Sequence, residues 1–206
     1  MTEGVLYNRV YSDEMKKQTV IEEWHEVEPP PPPELKKVNV NPKETALLVL
    51  DIQKQNCNEE RPRCLERILQ LKEFLHKARH ARMMVVYSLT RSAEKGDIRE
   101  EVTPHGEDFV VKAGVDKFFQ TDLEPILRAK HIKYVIIVGT SAHGAVLHTA
   151  VGAAARGFEV VVPVDGLSAN EAYAEQYTVW HIAYSPGTKR RATLTELDWI
   201  TFENVV

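Results

Sequence analysis

The amino-acid sequence predicts an α/β protein, a three-layer α/β/α sandwich in which helices cover both faces of a mostly parallel sheet. Three observations carry this expectation. Runs at 46–50, 83–89, 134–138 and 159–164 are almost continuously apolar, as suits strands buried on both faces. Segments such as 63–82 and 144–156 separate them with helical rather than alternating spacing. The regular alternation of the two patterns is what crossover connections between parallel strands require.

Taken in order, residues 1–40 stand apart as an N-terminal arm, and residues 41–206 form one domain. The arm is charged, carries little apolar periodicity and contains five consecutive prolines at 29–33. Such a run favours an extended polyproline conformation without backbone donors. It reads as a stiff arm laid over the body or a neighbouring subunit, ahead of a ligand for a partner domain. Segments 19–27 and 36–40 are expected to be short strands. The strand at 46–50 ends in Asp51, and Leu65, Ile68, Leu69, Leu71, Leu75 and Ala78 give the next segment a helical stripe. A strand at 83–89 leads into a polar stretch, 91–108, read as a long loop on the functional edge. A short strand at 109–111 ends in Lys112. Thr121 can cap a helix running to Ala129, with Asp122 and Glu124 favourably placed in its first turn. Strand 134–138 is broken by Gly139, and a small-residue helix follows from about residue 144 to residue 156. Strand 159–164, an aromatic-rich helix at 169–184 and an edge strand at 192–194 complete the chain.

Bulk properties narrow the function. At 206 residues, with a net charge of −4, nothing favours nucleic-acid or membrane-surface binding. No apolar run reaches the length of a membrane span, and the first residues are charged rather than signal-like, so the expected location is the cytoplasm. Cys57 and Cys64 are too few for a disulfide framework. A local bridge is open to them, but free thiols are the expectation in a reducing compartment.

In open α/β sheets ligands bind beyond the carboxyl ends of the strands. Asp51, Lys112 and the turn 139–145 are delivered there. An acidic residue closing an apolar strand is costly unless it is paired or used. A buried ion pair tying strand ends together and a catalytic pair both fit the pattern.

The segments Leu47-Leu48-Val49-Leu50-Asp51-Ile52-Gln53, Lys112 through Phe118-Phe119-Gln120-Thr121-Asp122-Leu123, and Val138-Gly139-Thr140-Ser141-Ala142-His143-Gly144-Ala145-Val146-Leu147 resemble, in order, three signature regions of the isochorismatase-like hydrolases. That superfamily includes nicotinamidases and N-carbamoylsarcosine amidase, and the resemblance covers roughly residues 44–184. It implies a Rossmann-like sandwich, a homo-oligomer (dimer or tetramer), a small-molecule substrate and an Asp–Lys–Cys triad. Asp51 matches the aspartate. Lys112 matches the lysine by its spacing of six from Phe118, and Lys117 sits off-register. The peptide preceding Ala142 matches a site that often holds a non-proline cis bond.

The departure is Ala145, which occupies the position of the cysteine nucleophile and excludes a thioester route. True isochorismatases and the related phenazine-pathway hydrolase resemble this chain in the Ala-His of the turn. They cleave a vinyl ether by general acid chemistry. On that resemblance Asp51 is the acid, its pKa raised by an apolar pocket. Lys112 orients the substrate or binds its carboxylate, and Arg91 can bind a second one. Gln53, Arg91, Ser141, Ala142, His143 and Gly144 are the substrate-binding candidates. A catalytically silent ligand-binding or structural subunit is the rival reading. A cysteine-to-alanine variant of an amidase comes third.

Cys57, six residues beyond Asp51, could act as a surrogate nucleophile, but a half-buried thiol is the plainer reading. Nicotinamidases use a metal held by an Asp-x-His pattern. Gln53, Lys54 and Asn56 stand after Asp51 here, so no metal or other cofactor is expected. Tyr173, Tyr177, Trp180, His181 and Tyr184 mark one helical face as core or subunit interface.

Overall fold

The structure is a computed structural model that describes residues 19–106 and 108–203. The chain divides into two compact units, Met1–Pro32 and Pro33–Val206. In the first, residues 19–26 form a turn rather than the expected strand. The Glu22 and Glu23 amides both return to the Thr19 carbonyl, and the Glu22 carboxylate accepts the Thr19 amide at 2.7 Å. These bonds satisfy the backbone within the segment itself.

The first strand of the second unit is β1 (Val38–Val40), shorter than the expected 36–40, which pairs in parallel with a C-terminal strand β9 (Ile200–Phe202). The main sheet comprises β2 (Thr45–Leu50), β3 (Met84–Thr90), β4 (Phe109–Ala113), β5 (Tyr134–Thr140), β6 (Glu159–Pro163), β7 (Leu167–Ser168) and β8 (Ala192–Thr195). Its order is β4-β3-β2-β5-β6-β8, with β7 alongside the end of β5, and every pairing is parallel. All six residues of β2 are buried, as the central strand of a sheet covered on both faces must be.

Strand alternation sorts the core into two halves. Leu47 and Val49 face α1 (Pro62–His80), whose Ile68, Leu71, Phe74 and Leu75 pack on them. Pro62 opens this helix, where a missing amide hydrogen costs nothing. Ala46, Leu48 and Leu50 face the other side. There they meet residues of α2 (Leu123–Ala129), α3 (Leu147–Ala155) and α4 (Ala172–Tyr184). The stripe of small residues in α3 (Ala150, Gly152, Ala153, Ala154) is buried and lets that helix sit close against its neighbours.

Several boundaries move. The loop 91–108 contains two short 3-10 turns, Lys95–Asp97 and Glu100–Val102. The helix expected from residue 169 begins at Ala172, because Leu167 and Ser168 join the sheet beside Gly139 and Thr140. Strands this short leave little periodicity to read.

Candidate active site

The site forms where β2 and β5 end side by side, Leu50 in register with Gly139. Gly139 has φ +131°, and a Cβ there would run into the Leu50 backbone, so only glycine lets the strand ends approach this closely. Asp51 then turns out of the strand at φ 52°, a left-handed conformation that aspartate tolerates better than most residues. Its amide is held by Ser88 of β3, with the carbonyl at 3.3 Å and the hydroxyl at 3.2 Å. This holds the carboxylate at the sheet edge.

The carboxylate is almost wholly buried and has a partner on each oxygen. The Ser88 hydroxyl donates to Oδ1 at 2.7 Å, and Lys117 Nζ donates to Oδ2 at 2.7 Å. Lys117 is 1 % exposed and gives a second hydrogen bond to the Gly114 carbonyl at 2.7 Å. It is positioned by α3, whose Thr149 hydroxyl accepts the Lys117 amide at 3.3 Å. Beside it the Asp116 carboxylate accepts the Phe118 amide at 2.9 Å. That carboxylate fills the space a Cβ at Gly152 would need.

Lys112 is therefore not the lysine that meets Asp51. Within β4 it alternates with Val111 and Ala113, which are buried, and so points to the other face of an edge strand. Its ammonium lies exposed against Glu94 at 2.6 Å. Spacing to Phe118 selected the strand lysine, whereas the turn after β4 supplies the one that reaches the carboxylate.

The turn after β5 is a single π turn, Ala142–Val146, leading into α3. The cis peptide lies between Thr140 and Ser141, one residue earlier than expected. The Ser141 carbonyl accepts the amides of Gly144 at 3.1 Å and Val146 at 3.2 Å, committing both inside the turn. Gly144 leaves room for the Ser141 hydroxyl, which a Cβ would approach to 2.7 Å. Ala142 and Ala145 are buried, and Ala145 belongs to the same apolar cluster as Leu50 and Phe118, the neighbours of Asp51 and Lys117.

Ser141 and His143 line a pocket of ≈350 Å³ together with Arg61, Asn170, Glu171 and Ala174. Arg61 was not foreseen. It donates to the Asn56 side chain at 3.4 Å, and Asn56 donates to the Asp51 carbonyl at 3.4 Å, so the cation is linked to the strand end. Its position just before Pro62, on the loop leaving the carboxyl end of β2, is the signal that could have found it. Arg91 is exposed in the turn after β3 and is not among the walls of this pocket. Gln53 is wholly buried. Its Oε1 accepts the Thr90 hydroxyl at 3.0 Å, while its Nε2 has no partner among the described residues.

The cysteines depart from expectation. Cys57 and Cys64 form a disulfide, and both are buried, so Cys57 is no surrogate nucleophile. The bridge joins the loop after β2 to the first turn of α1, where both side chains turn inward. Behind the pocket, Glu175 of α4 ties that helix to α1 through Arg63, whose Nε donates at 2.8 Å, and accepts the Ala169 amide at 3.0 Å. Burial pushes the Glu175 carboxyl up. The Arg63 and Ala169 hydrogen bonds, with the charges of Arg63 and Arg67, outweigh burial and hold it below its ordinary value.

A family model described as "Isochorismatase domain" matches residues 45–196. A curated relative, the "Secreted isochorismatase effector Isc1" of Verticillium dahliae, is 35% identical over 79 residues. That match takes in 38% of this chain and 42% of the relative, so the chain spans less than half of that protein. Among solved structures, an isochorismatase family protein from Desulfovibrio vulgaris superposes with a TM-score of 0.69 at 19% identity, covering 75% of this chain and 95% of that one. The N-carbamoylsarcosine amidase of Thermoplasma acidophilum gives 0.64 at 22% identity, covering 75% and 97%. These superpositions bear on the fold, and their sheet and helices are those described above. With the family model spanning β2 to β8 and the end of the sheet carrying the Asp51 site, the chain belongs to the isochorismatase family.

Proposed function

We propose that this protein hydrolyses a small anionic molecule without a covalent enzyme intermediate, with Asp51 and Lys117 as its proton-handling pair. The observation that carries the reading is the 2.7 Å contact between Lys117 Nζ and Asp51 Oδ2, buried at the strand ends beside a turn whose nucleophile position is Ala145. A hydrolase with no thiol must activate either the substrate or water by proton transfer. Vinyl-ether hydrolysis fits. The proton held between Lys117 and Asp51 is delivered through Asp51 to the methylene carbon. The ether oxygen then shares the resulting positive charge, water adds to the oxocarbenium carbon and returns one proton to the Asp51–Lys117 pair, and the neutral hemiketal collapses to a ketone and an alcohol, its hydroxyl proton passing to the leaving oxygen. The net change is the consumption of one water. Arg61 and His143, in the pocket beside the turn, supply groups that can hold a carboxylate.

A silent binding subunit remains the rival, supported by one observation. Both Asp51 oxygens already have protein partners, as a purely structural ion pair would. Turnover of a panel of vinyl ethers, amides and ureas separates the two. Vinyl-ether hydrolysis by the wild type that falls by about 10²-fold or more in Asp51→Asn supports the proposal. Amide hydrolysis appearing only in Ala145→Cys would instead mark a disabled cysteine hydrolase. No turnover, with a carboxylate ligand still binding, would favour the subunit.

For the compartment, the Cys57–Cys64 bridge supports an oxidising environment over the cytoplasm expected from the sequence, because disulfides are rare in cytosolic proteins. None of the described helices is long and apolar enough to cross a membrane.

A further inference from the structure

We infer that a cleft across the amino ends of the strands binds a small molecule with two negative charges on an apolar body, a phosphate ester or a dicarboxylate, at a site separate from the Asp51 pocket. The cleft has a volume of ≈670 Å³, within the range of small-molecule sites. Its walls are built where strands begin. Lys43 precedes β2, Met84 opens β3, Phe109 opens β4 and Ile132 leads into β5. Asp51 lies past the opposite end of β2, whose 6 residues set it about 20 Å away.

The lining sets the chemistry of the occupant. Met83 and Ile132 are buried beneath it, and Phe109 stays 38% exposed, so an apolar surface is offered. Lys43, Arg82 and Lys130 line the same cleft, and among the described residues none of these three has an ion-pair partner. The carboxylate in the lining, Asp108, is already neutralised by Arg79 at 2.6 Å. Arg79 is held in turn by the Tyr87 hydroxyl at 2.9 Å and the Thr103 carbonyl at 3.1 Å, which makes that wall rigid. Three uncompensated cations on a chain of net charge −4 form a local positive field against an acidic background. The guanidinium fork matches the oxygens of a phosphate or carboxylate.

Helix ends attract cations on their own account, and α1 and α2 both finish at this cleft. Here the backbone caps both helices. The Met83 and Arg82 amides return to the Ala78 and Arg79 carbonyls at 3.0 and 2.9 Å, and the Ile132 and His131 amides to the Leu127 and Arg128 carbonyls at 3.0 Å each. The side chains of Arg82 and Lys130 are not spent as caps. Arg82 also sits at φ 56°, the left-handed position just past a helix where glycine is the stable choice. Helix α3 ends with the same pair of bonds and has Gly157 there, at φ +84°. An arginine standing where glycine would be more stable implies a use for its side chain.

Calorimetric titration of the full chain with 1-naphthyl phosphate and with a naphthalene dicarboxylate tests the site, and the two arms distinguish the sources of the charge. At least one is expected to bind, raising the melting temperature by about 3–6 °C when in tenfold excess over its Kd. Arg82→Gly is expected to weaken that binding by about tenfold or more. The same variant, without ligand, should melt no lower than wild type, an outcome that a merely structural arginine would not give. Lys43→Ala/Lys130→Ala gives a second reading if Arg82→Gly does not fold. Binding by neither probe, or binding of wild-type strength in both variants, overturns the inference. So does inorganic phosphate binding as tightly as the ester, because the apolar floor would then contribute nothing. Binding lost in Arg61→Ala but kept in the cleft variants would place the probe beside Ser141 and sink the idea equally. A glutamate-rich peptide that binds where neither small dianion does would assign the cleft to an acidic protein segment instead. None of these outcomes bears on Asp51 and Lys117, at the other end of the sheet.

Discussion

Lys117 and Asp51, 66 residues apart in sequence, meet at 2.7 Å in a place where neither has water to fall back on. Each is tolerable there only because of the other, since an unpaired buried charge costs far more than a paired one gains. Lys117→Met therefore strands the Asp51 carboxylate, with a loss of about 3–5 kcal/mol in unfolding free energy. Lys117→Met/Asp51→Asn removes both charges and recovers part of that loss. Urea denaturation of the single and double variants measures the coupling. Additive effects would mean that the two charges do not support each other in the folded protein.

Lys112 makes the complementary case. Its ammonium and the Glu94 carboxylate are both well exposed, and pairs of that kind contribute about 0–1 kcal/mol. Lys112→Ala is expected to leave turnover and the denaturation midpoint close to wild type. A loss of turnover comparable with that of Lys117→Met would return Lys112 to the site.

The mismatch between these lysines shows which parts of the site were legible in the sequence. The sheet was readable because buried parallel strands are long apolar runs, and Asp51 because a carboxylate closing such a run has few explanations. The lysine was not. Lys117 sits in an irregular turn, and its reach depends on Thr149 and Gly152 of α3, which no periodicity links to it. Arg61 was hidden in the same way, since the relation between the loop after β2 and the turn after β5 is purely spatial. The two cysteines were in view, but their spacing is equally compatible with thiols and with a bridge until both side chains are seen to turn inward.

Gly139 carries a sharp prediction because two demands coincide on it. Its φ of +131° disfavours any side chain, and a Cβ would collide with the Leu50 backbone across the β2–β5 register. Gly139→Ala is expected to cost about 4 kcal/mol or more, among the larger effects a single substitution produces. Gly157 shares a positive φ of +84° but has open space around it, so Gly157→Ala should cost only about 1–2 kcal/mol. Paired thermal melts would settle the ranking, and equal losses would show that strain rather than the Leu50 contact decides.

The Cys57–Cys64 bridge closes a short loop between β2 and α1, and short loops still restrict the unfolded chain appreciably. Cys57→Ser/Cys64→Ser is expected to lower stability by about 2–3 kcal/mol on the chain-entropy model. Thiol labelling of the denatured, unreduced protein should find neither cysteine reactive. Two reactive thiols in protein purified without reductant would remove both the bridge and the argument for an oxidising compartment.

Glu175 makes stability depend on pH with a definite sign. The folded carboxyl lies below its ordinary value of 4.5, because the Arg63 and Ala169 hydrogen bonds, with the charges of Arg63 and Arg67, outweigh the burial that would raise it. A depressed folded value means that the unfolded chain takes up the proton first. The stabilisation is thus fully present above the unfolded value. It is lost as pH falls through 4.5 towards the lower folded value. Glu175→Gln keeps the side chain's size but forfeits the charge, at a cost of about 1–3 kcal/mol near neutrality, given that Arg63 is partly exposed. The gap in melting temperature between wild type and Glu175→Gln should therefore be widest near pH 7 and narrow below pH 4.5. A gap that stays constant down to pH 3 would mean that the Glu175 charge contributes nothing to holding α4 on α1, and that shape alone does so.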